Sequence, residues 1–531
     1  MTWSRPHSNT TDRQSSSCPP SCRCSPPPTS HLRNDIVGKP LDIAIVAVYL
    51  IAMLAFGFWG KTRTKDSADF LVAGRRLGPT LYTGTMAAVV LGGASTVGGV
   101  GLGYKWGLSG MWLVVAIAVG LLALSLLFAG RIQRLKVYTV AQMLSLRYGV
   151  DATSASGVVM VTYTLMLSVT STIAYATVFN VLFGTGRTVS VLIGGAVVML
   201  YSSIGGMWSI TLTDMVQFIL KTIGVFFLLL PFTWNRAGGL DGIRERAGDA
   251  VFSLTAIGTE TIITFFVVYS FGMLIGQDIW QRVFTARSPQ VAKWGGTTAA
   301  LYCVAYGVAG ALIGAAASTF LPDVEAKDDV YAQIAESILP VGISGLVLAA
   351  AVAAMMSTAS GALIATATVA RTDVRPLLLR LVGRRTETVT DDPSLEVHAD
   401  RRYVVVLGIV VIVIAALLND VVGALTIAYD ILVGGLLVPI LGGFVWKRAT
   451  GAGALVAMGV GTVVTLGTMA IVGDVLANDP IYWGLATSLV AYVAVSLATT
   501  RTPAPVLQVW NDRLAGRDQT ATAGEIPTAT S

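Results

Sequence analysis

The chain has 531 residues, of which 54% are hydrophobic and only 12% are charged, and its mean hydropathy is +0.70. This composition excludes a soluble globular protein and indicates a polytopic membrane protein, all α-helical. The net charge of +6 is therefore no sign of nucleic acid binding, because basic residues in such a protein set the orientation of its loops.

The two ends of the chain differ from the middle in composition. Residues 1–38 are rich in Ser, Thr, Pro and Arg and are predicted to be a disordered tail, as is the polar segment 501–531. The three cysteines of the first tail lack a fourth ligand nearby, so no zinc site is predicted. Residues 39–500 are predicted to form one transmembrane domain.

Thirteen apolar segments in this domain are long enough to cross a bilayer as helices. They cover approximately 41–60, 79–104, 108–130, 153–184, 188–206, 209–233, 258–281, 296–321, 340–370, 403–418, 421–446, 451–474 and 480–499. Alternate loops, together with the C-terminal tail, hold 24 Lys and Arg residues, whereas the other loops hold 6. The positive-inside rule then predicts an amino terminus outside and a carboxyl terminus in the cytoplasm, although the first tail itself carries Arg5, Arg13, Arg23, Arg33 and Lys39. The expected location is the plasma membrane.

Two of these spans carry helix-breaking sequences at corresponding places. Six glycines lie between residues 89 and 104, so the backbone near 94–99 is predicted to unwind. Close packing of helices through Gly99 and Gly103 is the alternative explanation for these glycines. A second break is expected near Gly272 and Gly276, five spans later. Matching breaks predict an inverted repeat, about 79–233 and about 258–446, with the binding site between its halves.

Polar residues inside the spans are candidate site residues, because their burial in hydrocarbon must be compensated. The adjacent hydroxyls of Ser357 and Thr358 could bind a small cation, or they could bond to carbonyls one turn earlier in their own helix. Lys221 is the deepest basic residue and follows Asp214 on one helix face.

Two further acidic residues lie within the spans. Asp278 and Arg282 are spaced as an internal ion pair. Asp430 is a buried carboxylate whose partner the sequence does not identify.

Several motifs resemble the sodium:solute symporter family, in the expected order and over about 41–500. They are Gly-Gly-Ala-Ser-Thr-Val-Gly-Gly at 92–99, Tyr-Ser-Ser-Ile-Gly-Gly-Met-Trp-Ser-Ile-Thr-Leu-Thr-Asp-Met-Val-Gln at 201–217, Met-Ser-Thr-Ala-Ser at 356–360, and Asp-Ser-Ala-Asp-Phe-Leu-Val-Ala-Gly-Arg at 66–75. The resemblance implies a LeuT-like fold, a 5+5 inverted repeat with one leading and two trailing helices. It also implies sodium-coupled uptake of a small organic solute by alternating access.

The resemblance also implies roles for individual residues. The family's shared sodium site would use the backbone carbonyls of Ala94, Val97 and Ala354 and the side chains of Ser357 and Thr358. A further residue, Asp214, matches an aspartate associated with a second sodium site or with the inward release path.

The substrate is less clearly indicated. The candidate substrate or coupling residues are Lys221, Thr96, Ser270, Leu274 and Gln277. In span 7 the proline-transporting branch has Trp, Tyr and Pro where Ser270, Leu274 and Asp278 stand here, and in span 2 it has Asp where Thr96 stands. The sugar branch has Asn-Gln where Gly276-Gln277 stands, so neither specificity carries over.

The run at 99–107 is similar to members that move pantothenate or monocarboxylates. With Lys221 as a buried positive charge, it predicts a monocarboxylate-type anion. Proton coupling through Lys221, or sodium symport of an amino acid or sugar, remains the alternative.

Other function classes are disfavoured by what the sequence contains. The three histidines lie in tails or loops and no nucleophile motif lies within a span, so an enzyme is not predicted. A phosphate loop is not found either. The expected partners are the sodium ion, which couples transport, the solute and the lipid bilayer, with no other cofactor, no nucleic acid and no obligate protein partner.

Overall fold

The structure, a computed structural model, describes residues 40–517 apart from 322–323, 325, 383–392, 419–420 and 474–476. The predicted N-terminal tail therefore lies outside the described residues. Within them the chain is helical, and the one strand-like pairing is an isolated bridge between Leu77 and Ala286. The helices are α1 Pro40–Arg63, α2 Ser67–Val72, α3 Pro79–Val90, α4 Gly99–Trp106, α5 Trp112–Ala123, α6 Gly130–Arg134, α7 Val140–Tyr148, α8 Val150–Phe183, α9 Arg187–Thr222, α10 Leu230–Arg236, α11 Gly239–Ala247, α12 Thr259–Phe265, α13 Phe271–Ile275, α14 Gln277–Thr285, α15 Pro289–Ala317, α16 Val330–Ile338, α17 Ile343–Val369, α18 Arg375–Leu381, α19 Pro393–Leu417, α20 Val421–Val445, α21 Gly451–Val472, α22 Asp479–Ala498 and α23 Ala504–Ala515.

The number of membrane spans differs from the sequence prediction. In the described part of the chain nine helical stretches are long and apolar enough to cross a membrane, or ten if one bent pair counts as a span, so the predicted thirteen are not confirmed. One reason is that the stretch Arg187–Arg236 contains two predicted spans. They meet at Gly206, where φ is 57° and ψ is −143°, a conformation that glycine adopts at little cost.

Helix α17 lies at the centre of the molecule. Residues 347–369 are all buried and are mostly Ala, Val, Ser, Thr and Gly. Such small side chains let neighbouring helices approach closely, and α17 packs mainly against α8, α9 and α1. The helix that carries the predicted hydroxyl ligands is therefore enclosed by protein on every side.

Both predicted helix breaks are present, and the first lies slightly earlier than expected. Helix α3 ends at Val90, and a single widened turn, Ala94–Gly98, leads into α4. The regular helix is thus lost at 91–92, ahead of the predicted 94–99. The second break lies at Gly276, where α12–α13 and α14 meet at a bend of 42°.

The C-terminal segment corrects one prediction. Residues 501–531 were expected to be a disordered tail, but 504–515 form α23. Trp510 of this helix is buried, and its ring lies 5.5 Å from that of Phe444. The buried tryptophan gives the helix a packing contact that composition alone does not reveal. Residues 518–531 lie outside the described part.

Candidate functional site

The carbonyl end of α3 is the first component of the site. The last four carbonyls of a helix have no partner within it, and in a buried helix they must find one elsewhere. Ser357 of α17 donates to the carbonyl of Ala88 at 2.7 Å, and Thr358 donates to that of Val89 at 2.7 Å. The break in α3 thus creates the acceptors that these two hydroxyls use.

Lys221 of α9 reaches the same helix end from the other side. Its Nζ lies 3.0 Å from the carbonyl oxygen of Ala87, 2.9 Å from that of Ala88 and 3.4 Å from that of Leu91. The side chain is fully buried. The negative end of the α3 dipole favours a cation at this place, so the buried charge is compensated without a carboxylate in contact with it.

The predicted sodium ligands are only partly brought together. Ser357 also donates to the carbonyl of Ala354 at 2.9 Å, so three of the five expected residues converge. Ala94 and Val97 are buried in the widened turn beyond the break. The main-chain oxygens that contact the hydroxyls are instead those of α3.

Asp214 forms a buried ion pair that the sequence did not predict. Its Oδ2 accepts from Arg282 Nη2 at 3.3 Å and also from the hydroxyl of Thr85, and both charged side chains are fully buried. The predicted pairing of Arg282 with Asp278 is therefore wrong. Arg282 reaches across to α9 because Gly361 of α17 leaves room, as a Cβ there would lie 2.7 Å from Nη2.

Asp278 lies instead at a small internal cavity. Its Oδ1 accepts from the hydroxyl of Tyr163 at 2.9 Å, and the carboxylate is 2% exposed. Asp278 stands in the first turn of α14, where the helix dipole stabilises a negative charge.

The cavity lies between the two helix breaks and has a volume of about 30 Å³. It is large enough for one or two water molecules, so a solute can enter only if the walls move apart. Its lining is mixed polar and aliphatic, with one aromatic ring, and comes from both breaks and from α5, α8, α17 and α20. The residues are Val89, Val90, Gly92, Gly93, Ala94, Ser95, Ile117, Leu167, Thr170, Ser171, Met273, Asp278, Thr358, Leu425 and Tyr429. Asp278 is the single charged side chain in this lining.

The five candidate substrate residues do not line this cavity. Thr96 bonds to Tyr306, and Lys221 is held by α3. The amide of Gln277 donates to the carbonyl of Tyr138 and accepts from the N–H of Val140 at the start of α7. Ser270 and Leu274 lie in a separate apolar groove between α5 and α12–α13. Asp430 is likewise buried, and its carboxylate has no hydrogen-bond partner in the described part of the chain.

Comparison with known proteins identifies the family. The model of the sodium:solute symporter family matches residues 70–461. The chain belongs to that family. Sodium-coupled symport of a solute follows from this membership, and the members are transporters, so this symporter is not an enzyme.

Relatives and solved structures agree with this assignment. This symporter is 24% identical to the high-affinity proline transporter PutP of Bacillus subtilis (strain 168), over 87% of this chain and 98% of the relative. It is 23% identical to the sodium/glucose cotransporter of Vibrio parahaemolyticus, over 78% and 82%. A solved sodium-coupled sialic acid symporter superposes with a TM-score of 0.76 at 18% identity, covering 87% of this chain and 98% of that one. The predicted LeuT-like fold is thereby confirmed.

Sequence reasoning missed the residues of the cavity wall. Thr170 and Ser171 of α8, Met273 and Tyr429 all face it, yet none stood out in the sequence. The run Thr170-Ser171-Thr172 within an apolar span was an available signal, since polar residues there need a partner. The aromatic and methionine residues gave no such signal, because they are equally common in ordinary cores.

Proposed function

We propose that this symporter imports a small solute with a protonated amino group, such as an amino acid, together with sodium. The supporting observation is Asp278, the one charged side chain in the cavity lining: it accepts from the Tyr163 hydroxyl and from backbone amides of the first turn of α14, and it has no cationic neighbour among the lining residues. A buried carboxylate is costly unless it is paired, and a solute ammonium would provide the pair.

The monocarboxylate predicted from sequence is supported less well by this geometry. That prediction relied on the run at 99–107 and on Lys221, whose ammonium is engaged by three carbonyls and does not line the cavity. The lining contains neither Lys nor Arg. An amino acid fits both the carboxylate of Asp278 and the lack of a basic side chain in the lining. Its ammonium would pair with Asp278, and its carboxylate could be bound by backbone amides at the broken helix, as in other transporters built on interrupted helices. Proline transport by the Bacillus relative supports the same class.

We place the coupling sodium between α3 and α17. The oxygens of Ser357, Thr358 and Ala354 support this proposal, together with main-chain oxygens at the break, whether those of Ala88 and Val89 or the predicted Ala94 and Val97. Neutral oxygens of this kind suit a small hard cation. Asp214 stays a candidate for a second sodium site or for the release path.

The experiment is uptake into proteoliposomes under an inward sodium gradient, with labelled proline, choline, glucose and lactate. We expect uptake of an amino solute, and in the Asp278→Asn variant we expect KM to rise at least about tenfold, since an ion pair to a buried charge is lost. Asp430→Asn is the matched control, because it removes an equally buried carboxylate outside the cavity lining. Uptake of glucose or lactate that is unaffected by Asp278→Asn would contradict the proposal.

One observation favours proton coupling as a second candidate. The ammonium of Lys221 shares the carbonyl of Ala88 with Ser357, so it occupies part of the region proposed for sodium. Uptake is measured under a sodium gradient at fixed pH and then under a pH gradient without sodium, in wild type, Lys221→Met and the exposed control Lys105→Met. Proton-driven uptake that is lost only in Lys221→Met would establish this candidate, whereas sodium-driven uptake in all three proteins would exclude it.

We further propose that the protein lies in the plasma membrane with its amino terminus outside and its carboxyl terminus in the cytoplasm. The supporting observation is the uneven distribution of Lys and Arg between alternate loops.

A further inference from the structure

A basic groove lies far from the solute cavity, where the end of α1, the middle of α9 and the start of α19 meet. Its volume is about 440 Å³, which is within the range of small-molecule sites. It is lined by Phe58, Lys61, Ser203, Ile204, His398, Arg401, Arg402, Val405 and Val406. The lining contains three permanent cations and no carboxylate.

The cations are not neutralised by neighbouring acids. Neither Lys61 nor Arg402 has an ion-pair partner in the described part of the chain. Asp400, the adjacent acid on α19, is already engaged by Arg371 and by Ser67, whose hydroxyl lies 2.8 Å from Oδ2. The groove therefore keeps a positive charge that attracts an anion.

Arg401 gives the groove a fixed position for that anion. Its Nη2 donates to the carbonyl of Ile204 at 2.9 Å, which holds the guanidinium in place. Its Nε is buried and has no hydrogen-bond partner among the described residues. A buried donor without an acceptor is unfavourable, and an anionic oxygen in the groove would supply the acceptor.

Apolar side chains also line the groove, and two of them are largely exposed. Phe58 is 61% exposed and Val406 is 59% exposed. Both belong to membrane-facing parts of their helices, since the apolar part of α19 begins at about residue 403. The groove thus extends from the level of lipid headgroups to the level of acyl chains.

We propose that this groove binds one anionic phospholipid, with its phosphodiester between Lys61, Arg401 and Arg402 and an acyl chain along Phe58 and Val406. Basic pockets between transmembrane helices recognise anionic headgroups in this way. A soluble phosphate would leave the apolar part uncovered, and the ammonium of a zwitterionic lipid would be repelled by the three cations. The proposal depends on neither the solute nor the coupling ion.

The test measures lipid retention by native mass spectrometry of the full chain, purified in detergent with phosphatidylglycerol or phosphatidylcholine. One protein carries Lys61→Gln, Arg401→Gln and Arg402→Gln. A control with the same loss of charge carries Arg131→Gln, Arg134→Gln and Arg380→Gln, three exposed cations outside the groove. The single variant Arg402→Gln changes an exposed side chain, so it tests the site with little risk to folding.

We expect wild type and the control to retain one phosphatidylglycerol in preference to phosphatidylcholine. Affinity should fall about fivefold in Arg402→Gln and about a hundredfold in the triple groove variant, at about fivefold for each cation removed. Glycerol 3-phosphate at the same concentration should not displace the lipid. Equal phosphatidylglycerol retention by the groove variant and the control, or displacement by glycerol 3-phosphate, would overturn the proposal.

Discussion

Ser357, Thr358 and Lys221 all use the same few carbonyls at the end of α3. Two hydroxyls and one ammonium from two different helices satisfy acceptors that the break leaves without partners. A cation that binds here must therefore exchange these hydrogen bonds for its own contacts. At the scale of single residues, ion binding and the local hydrogen bonding of α3 are alternatives.

The first prediction concerns the two hydroxyls. In the double variant Ser357→Ala and Thr358→Val, the sodium concentration for half-maximal uptake should rise about tenfold or more, because two oxygen ligands are removed. Uptake into proteoliposomes at varied sodium measures it. Thr366→Val is the control, since that hydroxyl is buried on the same helix but bonds to Ala362 one turn earlier. An unchanged sodium dependence in the double variant would refute the assignment.

At the scale of elements, the helix breaks were predictable from the sequence, but the side chains that bond to the carbonyls at the first break were not. The glycines indicated an interrupted helix, yet the regular helix is lost at 91–92, ahead of the predicted segment. Glycine propensity is a weak, local effect of about 1 kcal/mol per residue. The position of the break depends on side chains more than a hundred residues away, such as Lys221 and Thr358, which no local pattern reveals. The ion pair of Arg282 with Asp214 rather than Asp278 was likewise not predictable, because Asp214 lies on a helix distant in sequence.

The glycines after the break also bear on close helix packing, which was the alternative explanation for them from the sequence. A Cβ at Gly103 would lie 2.5 Å from the carbonyl oxygen of Ala311 in α15, whereas at Gly99 the nearest atom is a methyl group of Val114 at 3.5 Å. Close helix packing therefore applies to Gly103 and not to Gly99.

This contact gives the second prediction. Gly103→Ala should destabilise the protein by about 1–3 kcal/mol, because the added methyl group meets backbone that cannot move independently. Thermal unfolding in detergent measures it. Gly459→Ala in α21 is the control, since a Cβ there meets nothing within 4 Å and alanine is the better helix former. Equal melting temperatures for the two variants would show that the α4–α15 contact is not tight.

At the scale of the whole molecule, composition predicted the membrane class and the helical architecture, because the bilayer restricts what an apolar chain can form. The motifs predicted the family, its LeuT-like fold and sodium coupling, and the loop charges predicted an orientation. None of these predicted the cavity, whose walls come from seven helices and whose one charge, Asp278, lies in a segment where the sequence suggested an internal ion pair.

The third prediction tests the orientation with two exposed leucines. In a cysteine-free background, Leu254→Cys, which precedes α12, should react with a membrane-impermeant maleimide in intact cells, because its loop is predicted to be outside. Leu381→Cys, at the end of α18, should react only after the cells are opened. The two side chains are 46% and 74% exposed, so access to reagent is comparable. The reverse labelling pattern would invert the assigned orientation.

The complete burial of α17 also bears on how such a protein can acquire new substrates. A larger side chain anywhere along 347–369 would press on several neighbouring helices at once, since no face of this segment is open. The cavity walls from α8, α13 and α20 supply six of the lining residues, whereas α17 supplies only Thr358. Substitutions that change solute preference are therefore expected to accumulate on these walls, while α17, which carries the hydroxyls of Ser357 and Thr358, is expected to change slowly.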